Sequence, residues 1–195
     1  RRVITIGAGF IGVELSDELV KAGKDVILVE KLPHILGLAF DQDIAARAQE
    51  LLAARGVDIR TGQGVARILG DDKVTGVELE DGMVIEADAV VMSVGYKPNV
   101  DLAKQAGLAI SKLGFIEVDE YMRTEDPDIF AVGDCAEKRD FVTRQPCTTM
   151  LASTACAEAR TAGINLFKLS VVKTFSGTIS IFATALGDTG FGVAG

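Results

Sequence analysis

The sequence has no tryptophan, a single histidine and only three cysteines in 195 residues. His34, alone in the loop KLPHIL, cannot build a metal site without partners, so no metal is expected. Cys135, Cys147 and Cys156 are odd in number, and no two of them form a C-x-x-C. That excludes a disulfide framework and a zinc site and points to a reducing, cytoplasmic setting. No apolar run reaches the roughly 20 residues needed to span a bilayer, and no leader pattern opens the chain. No membrane partner is therefore expected. Basic residues are outnumbered, 20 Lys and Arg against 28 Asp and Glu, for a net charge of −8. Phosphate-backbone binding needs clustered Lys and Arg, so nucleic acid is excluded as a partner.

What is present is an ordinary globular composition, 48% hydrophobic and 25% charged, long enough for one or two domains. The richest stretch is RVITIGAGFIGVELSDELVKAGKDVILVE, from Arg2 to Glu30. Val3–Ile6 is a short β-branched run suited to a buried parallel strand. GAGFIG follows at once, then Val13, Leu15, Leu19 and Val20 recur at roughly helical spacing until Ala22-Gly23. Asp25–Glu30 reads as a second buried strand, completing a β-turn-α-β unit. A helix from about Asp41, with Ile44, Ala45, Ala48, Leu51 and Leu52 on its apolar face, ends at Gly56. VDIRTG is a third strand. Between Gly64 and Gly95, GDD and EDG punctuate three extended runs, which predicts an antiparallel meander before the buried strand AVVMSVG. Further on, GFIEVD, EYMRT and DIFAVGD read as short strands, 149–162 as an alanine-rich helix, and the last 25 residues as one or two strands of another sheet.

The glycines of GxGxxG each have a physical purpose. Gly7 permits the tight turn, Gly9 lets backbone approach a pyrophosphate, and Gly12 lets the helix pack close to the sheet. The helix start offers unpaired N–H groups and partial positive charge to phosphate, which brings in Phe10 and Ile11 as well. Glu30 stands 18 residues after Gly12. A carboxylate there accepts hydrogen bonds from a ribose and repels a 2′-phosphate, which favours NADH over NADPH. Lys31 beside it offsets that preference slightly. The meander after the unit suits an NAD site better than an FAD site.

Thr124–Glu137, TEDPDIFAVGDCAE, closely resembles the second flavin signature of the FAD- and NAD(P)H-dependent pyridine nucleotide–disulfide oxidoreductases. VGYKPNVDLAKQAGL resembles the segment that leads from their NAD domain back to the FAD domain. CTTMLASTACAEARTAGINLF resembles the helix behind their flavin ring, and SGTISIFATALGDTGFGVAG the start of their interface domain. The likeness runs through the whole chain in the right order and is nearest to the NADH oxidase, NADH peroxidase and coenzyme A-disulfide reductase group. It implies an α/β fold: a Rossmann-like NAD-binding domain with an antiparallel meander, 1–97; the second part of a split FAD-binding domain, 98–167; and a truncated interface domain, 168–195.

The resemblance also implies roles. Asp134 would hydrogen-bond the ribityl or pyrophosphate region of FAD, unless Gly-Asp is here a plain turn. Leu151, Ala152 and Ala155 would lie near the pyrimidine edge of the flavin, or else form only a helix core face. Glu14 would lie near the nicotinamide carboxamide, or merely complement the helix dipole from the first turn. Val94 and Gly95 would sit on the nicotinamide side. Phe10 would be a mobile aromatic over the flavin, or plain core. None of the three cysteines is assigned a catalytic role. The family's first flavin-binding unit and redox cysteine are expected in an N-terminal part that this stretch lacks, so the chain reads as a fragment that binds NADH but holds no FAD and does not turn over alone. The GDTGFG strand departs from relatives, although a homo-oligomer is expected of the full-length protein. The function implied is hydride transfer from NADH to FAD and on to O2, peroxide or a coenzyme A disulfide. A reductase for ferredoxin or rubredoxin, and a non-catalytic NAD sensor, are the alternatives.

Overall fold

The computed structural model describes residues 1–167 and 173–194. They form two compact units, Arg1–Gly95 with Phe182–Val193, and Tyr96–Ile181.

The first unit opens with β1 (Arg2–Ile6), α1 (Phe10–Lys21), β2 (Asp25–Val29), α2 (Gln42–Ala54) and β3 (Asp58–Arg60). The chain then turns through β4 (Val65–Leu69), β5 (Gly76–Leu79) and β6 (Val84–Glu86) and returns as β7 (Ala89–Met92). Strands β3-β2-β1-β7 line up in that order as one parallel sheet. Strands β4-β5-β6 form the expected antiparallel meander.

A parallel sheet must be covered on both faces, and the side chains of β2 show how. Val26 and Leu28 point into a cluster with Val13 of α1 and Ala48 and Leu52 of α2. Ile27 and Val29 point the other way, onto Val77, Leu79 and Ile85 of the meander. The meander is thus the second lid of the sheet, which explains its apolar alternation. Leu52 is fully buried, and truncating such a residue to alanine costs about 2–5 kcal/mol. Asp41 precedes α2, but its carboxylate makes no capping bond.

The second unit contains α3 (Asp101–Gln105), one 3-10 turn (Gly133–Cys135), the two-residue strands β8 (Lys138–Arg139) and β9 (Pro146–Cys147), and α4 (Ala152–Asn165). Val100, Ala103, Ile116, Ala131 and Ala136 make its apolar cluster. The three short strands read from GFIEVD, EYMRT and DIFAVGD do not form. Among the described residues they give only single bridges, Ile116 to Ile110 and Ala136, and Arg123 to Phe130. The Asp119 carboxylate accepts the N–H of Tyr121 at 2.9 Å and of Arg123 at 3.0 Å. Met122 takes a positive φ of 70°. The chain therefore curls where a strand would have to run straight.

The last elements, β10 (Ile181–Leu186) and β11 (Thr189–Ala194), pair in a two-stranded sheet. Leu186 and Phe191 join the cluster of α1 and α2. Residues 168–172 of the segment read as an interface domain lie outside the described residues.

Candidate functional site

In the first unit the glycines converge on the turn between β1 and α1. Gly7 has a φ of 94°, and a Cβ there would lie 2.5 Å from the Ser93 carbonyl oxygen at the end of β7. Its N–H donates to the Val29 carbonyl at 2.8 Å, which ties the turn to β2. A Cβ on Gly12 would meet the Gly7 carbonyl, so α1 presses against the turn. Around Gly9, by contrast, an added Cβ meets nothing within 4 Å. Gly9 is the N-cap of α1, and no side chain caps the helix. Two glycines are therefore required by the protein's own packing, and the third faces open space at a helix start that no side chain caps. That is the cradle a pyrophosphate needs.

Glu30 completes this corner. One carboxylate oxygen accepts the N–H of Ala8, between Gly7 and Gly9, at 2.6 Å. The other accepts the N–H of Leu32 at 2.8 Å. Each oxygen retains a lone pair for a further donor such as a ribose hydroxyl. Lys31 is drawn off toward the meander, where its ammonium meets Glu80 at 2.8 Å. Val94 is 61% exposed, and Gly95 follows it with a φ of 91°. Ile11 is exposed on α1.

One expectation changes in this unit, and Phe10 takes the core-packing alternative. Glu14 is not in the first turn, because α1 begins at Phe10 and has no acid there; it is exposed in the second turn, too far along to complement the helix terminus. Phe10 packs into an aromatic group, stacked on Phe182 at 5.5 Å and edge-on to Phe40 at 5.8 Å. Its ring lies against the α1–α2 cluster.

In the second unit, Asp134 is exposed in the 3-10 turn. Leu151 is the N-cap of α4, no side chain caps that helix, and Ala152 is exposed at its first position. A Cβ on Gly133 would sit 3.6 Å from Ala155, so this part of α4 lies against the turn that carries Asp134. Ala155 is thus brought beside the turn of Asp134, one turn along α4 from its N-cap Leu151. A helix start that no side chain caps can stabilise the electron-rich edge of a reduced flavin. Cys135 and Cys147 are half-buried, Cys156 is exposed, and all three are free. Among the described residues no group of three potential ligands could hold a metal. No helix there is long and apolar enough to cross a membrane.

Three buried charges escaped the sequence reading. Asp17, its side chain 2% exposed, joins Lys21 at 2.7 Å and also bonds Arg55, which fastens α1 to the end of α2. Burial alone would raise its carboxyl pKa, but the bonds from Lys21 and Arg55 outweigh that and hold it below the ordinary carboxylate value. Lys138 and Glu158 are fully buried together in the second unit. The one available signal was position. Glu158 shares the helical stripe of Thr154, Thr161, Ala162 and Asn165, all buried on α4.

A family model, Pyridine nucleotide-disulphide oxidoreductase, matches residues 1–159. The chain belongs to that family. It is 35% identical to an NADH oxidase of Methanocaldococcus jannaschii over 100% of its own length and 43% of that protein's. It is 34% identical to an NADH oxidase of Enterococcus faecalis, over 97% of this chain and 43% of that one. An FAD-dependent pyridine nucleotide-disulphide oxidoreductase from Desulfovibrio vulgaris, known from its crystal structure, superimposes with a TM-score of 0.92 at 34% identity. That alignment covers 100% of this chain and 49% of the other. The chain therefore spans less than half the length of these family members, while its α/β architecture is theirs.

Proposed function

We propose that this chain supplies the NADH-binding unit and the second flavin-facing segment of an FAD-dependent NADH oxidoreductase. The observation that carries the reading is the Glu30 carboxylate held against Ala8 inside the glycine turn. In this reading that carboxylate is the acid at the ribose position of a phosphate cradle. In this reading Gly9 admits the pyrophosphate, and the N–H groups at the start of α1 bind it. Glu30 accepts the ribose hydroxyls and repels a 2′-phosphate, so NADH is preferred to NADPH. Lys31 does not restore phosphate binding, because Glu80 holds it. Glu14, Val94 and Gly95 bound the nicotinamide side.

FAD fits the second unit's donor set. Asp134 would accept from the ribityl or pyrophosphate region, and the uncapped start of α4 with Leu151, Ala152 and Ala155 would face the pyrimidine edge. The nicotinamide supplies a hydride and the flavin accepts two electrons; this chain's residues bind and orient them. The remaining flavin contacts and the redox cysteine are assigned to sequence outside these 195 residues. The length covered in the relatives supports this. The final acceptor in this reading is O2, peroxide or a coenzyme A disulfide.

The test is anaerobic addition of NADH to the FAD-loaded full-length protein. Bleaching of the flavin band is the expected result. Saturable NADH binding with the flavin left oxidised would overturn the transfer.

A further inference from the structure

The buried pair Lys138 and Glu158 has no part in the function argued so far. Both side chains are 0% exposed, and they approach to 3.5 Å. Burying an ion pair is not in itself a gain in stability, because the lost hydration offsets the attraction. Its contacts point to another use. One Glu158 oxygen accepts the Gly133 N–H at 2.7 Å. The Lys138 ammonium donates to the Gly133 carbonyl at 2.5 Å and to the Ala136 carbonyl at 3.0 Å. The two charges thus grip both polar groups of one residue. That residue has a φ of 78° and immediately precedes Asp134. The other Glu158 oxygen has no hydrogen-bond partner among the described residues, so the carboxylate depends on Lys138 for its remaining compensation. Glu158 also rides on α4, whose first turn carries Leu151, Ala152 and Ala155.

We propose that Lys138 and Glu158 are positioning residues for the flavin, clamping the Gly133–Asp134 turn to α4 so that the two parts of the flavin-facing surface keep one fixed arrangement. The inference rests on the reading that this surface takes FAD. It makes the affinity for FAD depend on a pair that never touches it. It also separates local order from global stability. An apolar side chain at 138 with a neutral acceptor at 158 removes both charges and keeps the cavity filled, yet leaves the Gly133 and Ala136 carbonyls without their donor.

The experiment compares Lys138→Met, Glu158→Gln and the double variant in the FAD-loaded full-length protein. Three quantities are read: the melting temperature, the FAD dissociation constant, and the amide exchange rates of Gly133 and Asp134. Glu158→Gln alone leaves Lys138 buried and unpaired and lowers the melting temperature. The double variant recovers only part of that loss, because two carbonyls stay without their donor. It nevertheless binds FAD about tenfold or more weaker, and its Gly133 and Asp134 amides exchange faster by a similar factor, the scale of one lost charged hydrogen bond. A double variant with wild-type FAD affinity and wild-type exchange at both amides overturns the proposal and leaves the pair a structural filler. A full-length wild-type protein that takes up no FAD overturns the flavin reading instead. The clamp is then decided by exchange alone, and unchanged Gly133 exchange in Lys138→Met at a retained melting temperature rules it out.

Discussion

Replacing Gly7 and Gly9 separately by alanine distinguishes a fold requirement from a binding requirement within three residues. At Gly7 the new methyl meets two obstacles. The φ of 94° is one that L side chains rarely adopt, at a cost of about 1–2 kcal/mol. The Cβ would also lie 2.5 Å from the Ser93 carbonyl oxygen, which is backbone and cannot rotate away. Overpacking of that kind costs about 1–3 kcal/mol. Together they predict a loss of about 2–5 kcal/mol, a large share of a domain's ~5–15 kcal/mol. At Gly9 the φ is −72° and the Cβ meets nothing within 4 Å. Alanine there loses only N-cap preference, about 1 kcal/mol or less. Its methyl projects into the space assigned to the pyrophosphate, so NADH affinity falls by about tenfold or more, equal to about 1.4 kcal/mol or more. Denaturant unfolding and calorimetric NADH titration on both variants are the assays. A Gly9→Ala chain that binds NADH as the wild type does would refute the cradle. A Gly7→Ala chain of unchanged stability would refute the packing argument.

Glu30→Gln keeps an acceptor for the Ala8 N–H but loses the charge that repels a 2′-phosphate, so the ratio of NADPH to NADH dissociation constants should shrink by about tenfold; an unchanged ratio means that Glu30 does not discriminate. Glu80→Gln releases the Lys31 ammonium from its 2.8 Å contact and should strengthen NADPH binding with little change in NADH; identical affinities for both show that Lys31 does not reach the ligand. Asp17→Asn should lower unfolding stability at neutral pH by about 1–3 kcal/mol, the scale of hydrogen bonds to charged partners. The folded-state pKa of Asp17 lies below its ordinary 3.8, so its contribution is complete above that value and is lost as the pH falls through the lower one. The wild type and Asp17→Asn should therefore converge in stability on acidification, and parallel curves would contradict the assignment.

Features fixed by adjacent residues were legible in the sequence. The meander's Asp-Gly turn lies within a few residues of what it controls, and the glycine turn and Glu30 fall at a fixed spacing within one β-α-β unit. The strands around Ile116 and Phe130 were misread because apolar alternation is necessary but not sufficient. A side-chain turn at Asp119 diverts the chain, and only single bridges remain. Glu14 was misplaced by one helical turn, since the start of α1 depends on where the extended Gly9 ends and not on any capping side chain. The clamp of Lys138 and Glu158 was invisible for a different reason. Each charge, taken alone, reads as a solvated surface residue, and only the packing of α4 against the 3-10 turn removes both from water. The packing of Leu186 and Phe191 on the α1–α2 cluster likewise depends on contacts far apart in the chain.

The most direct measurement is a calorimetric titration of this chain with NADH, followed by the same titration with NADPH. The account predicts saturable single-site NADH binding and distinctly weaker NADPH binding. Equal affinities, or no heat of binding with either, would contradict it.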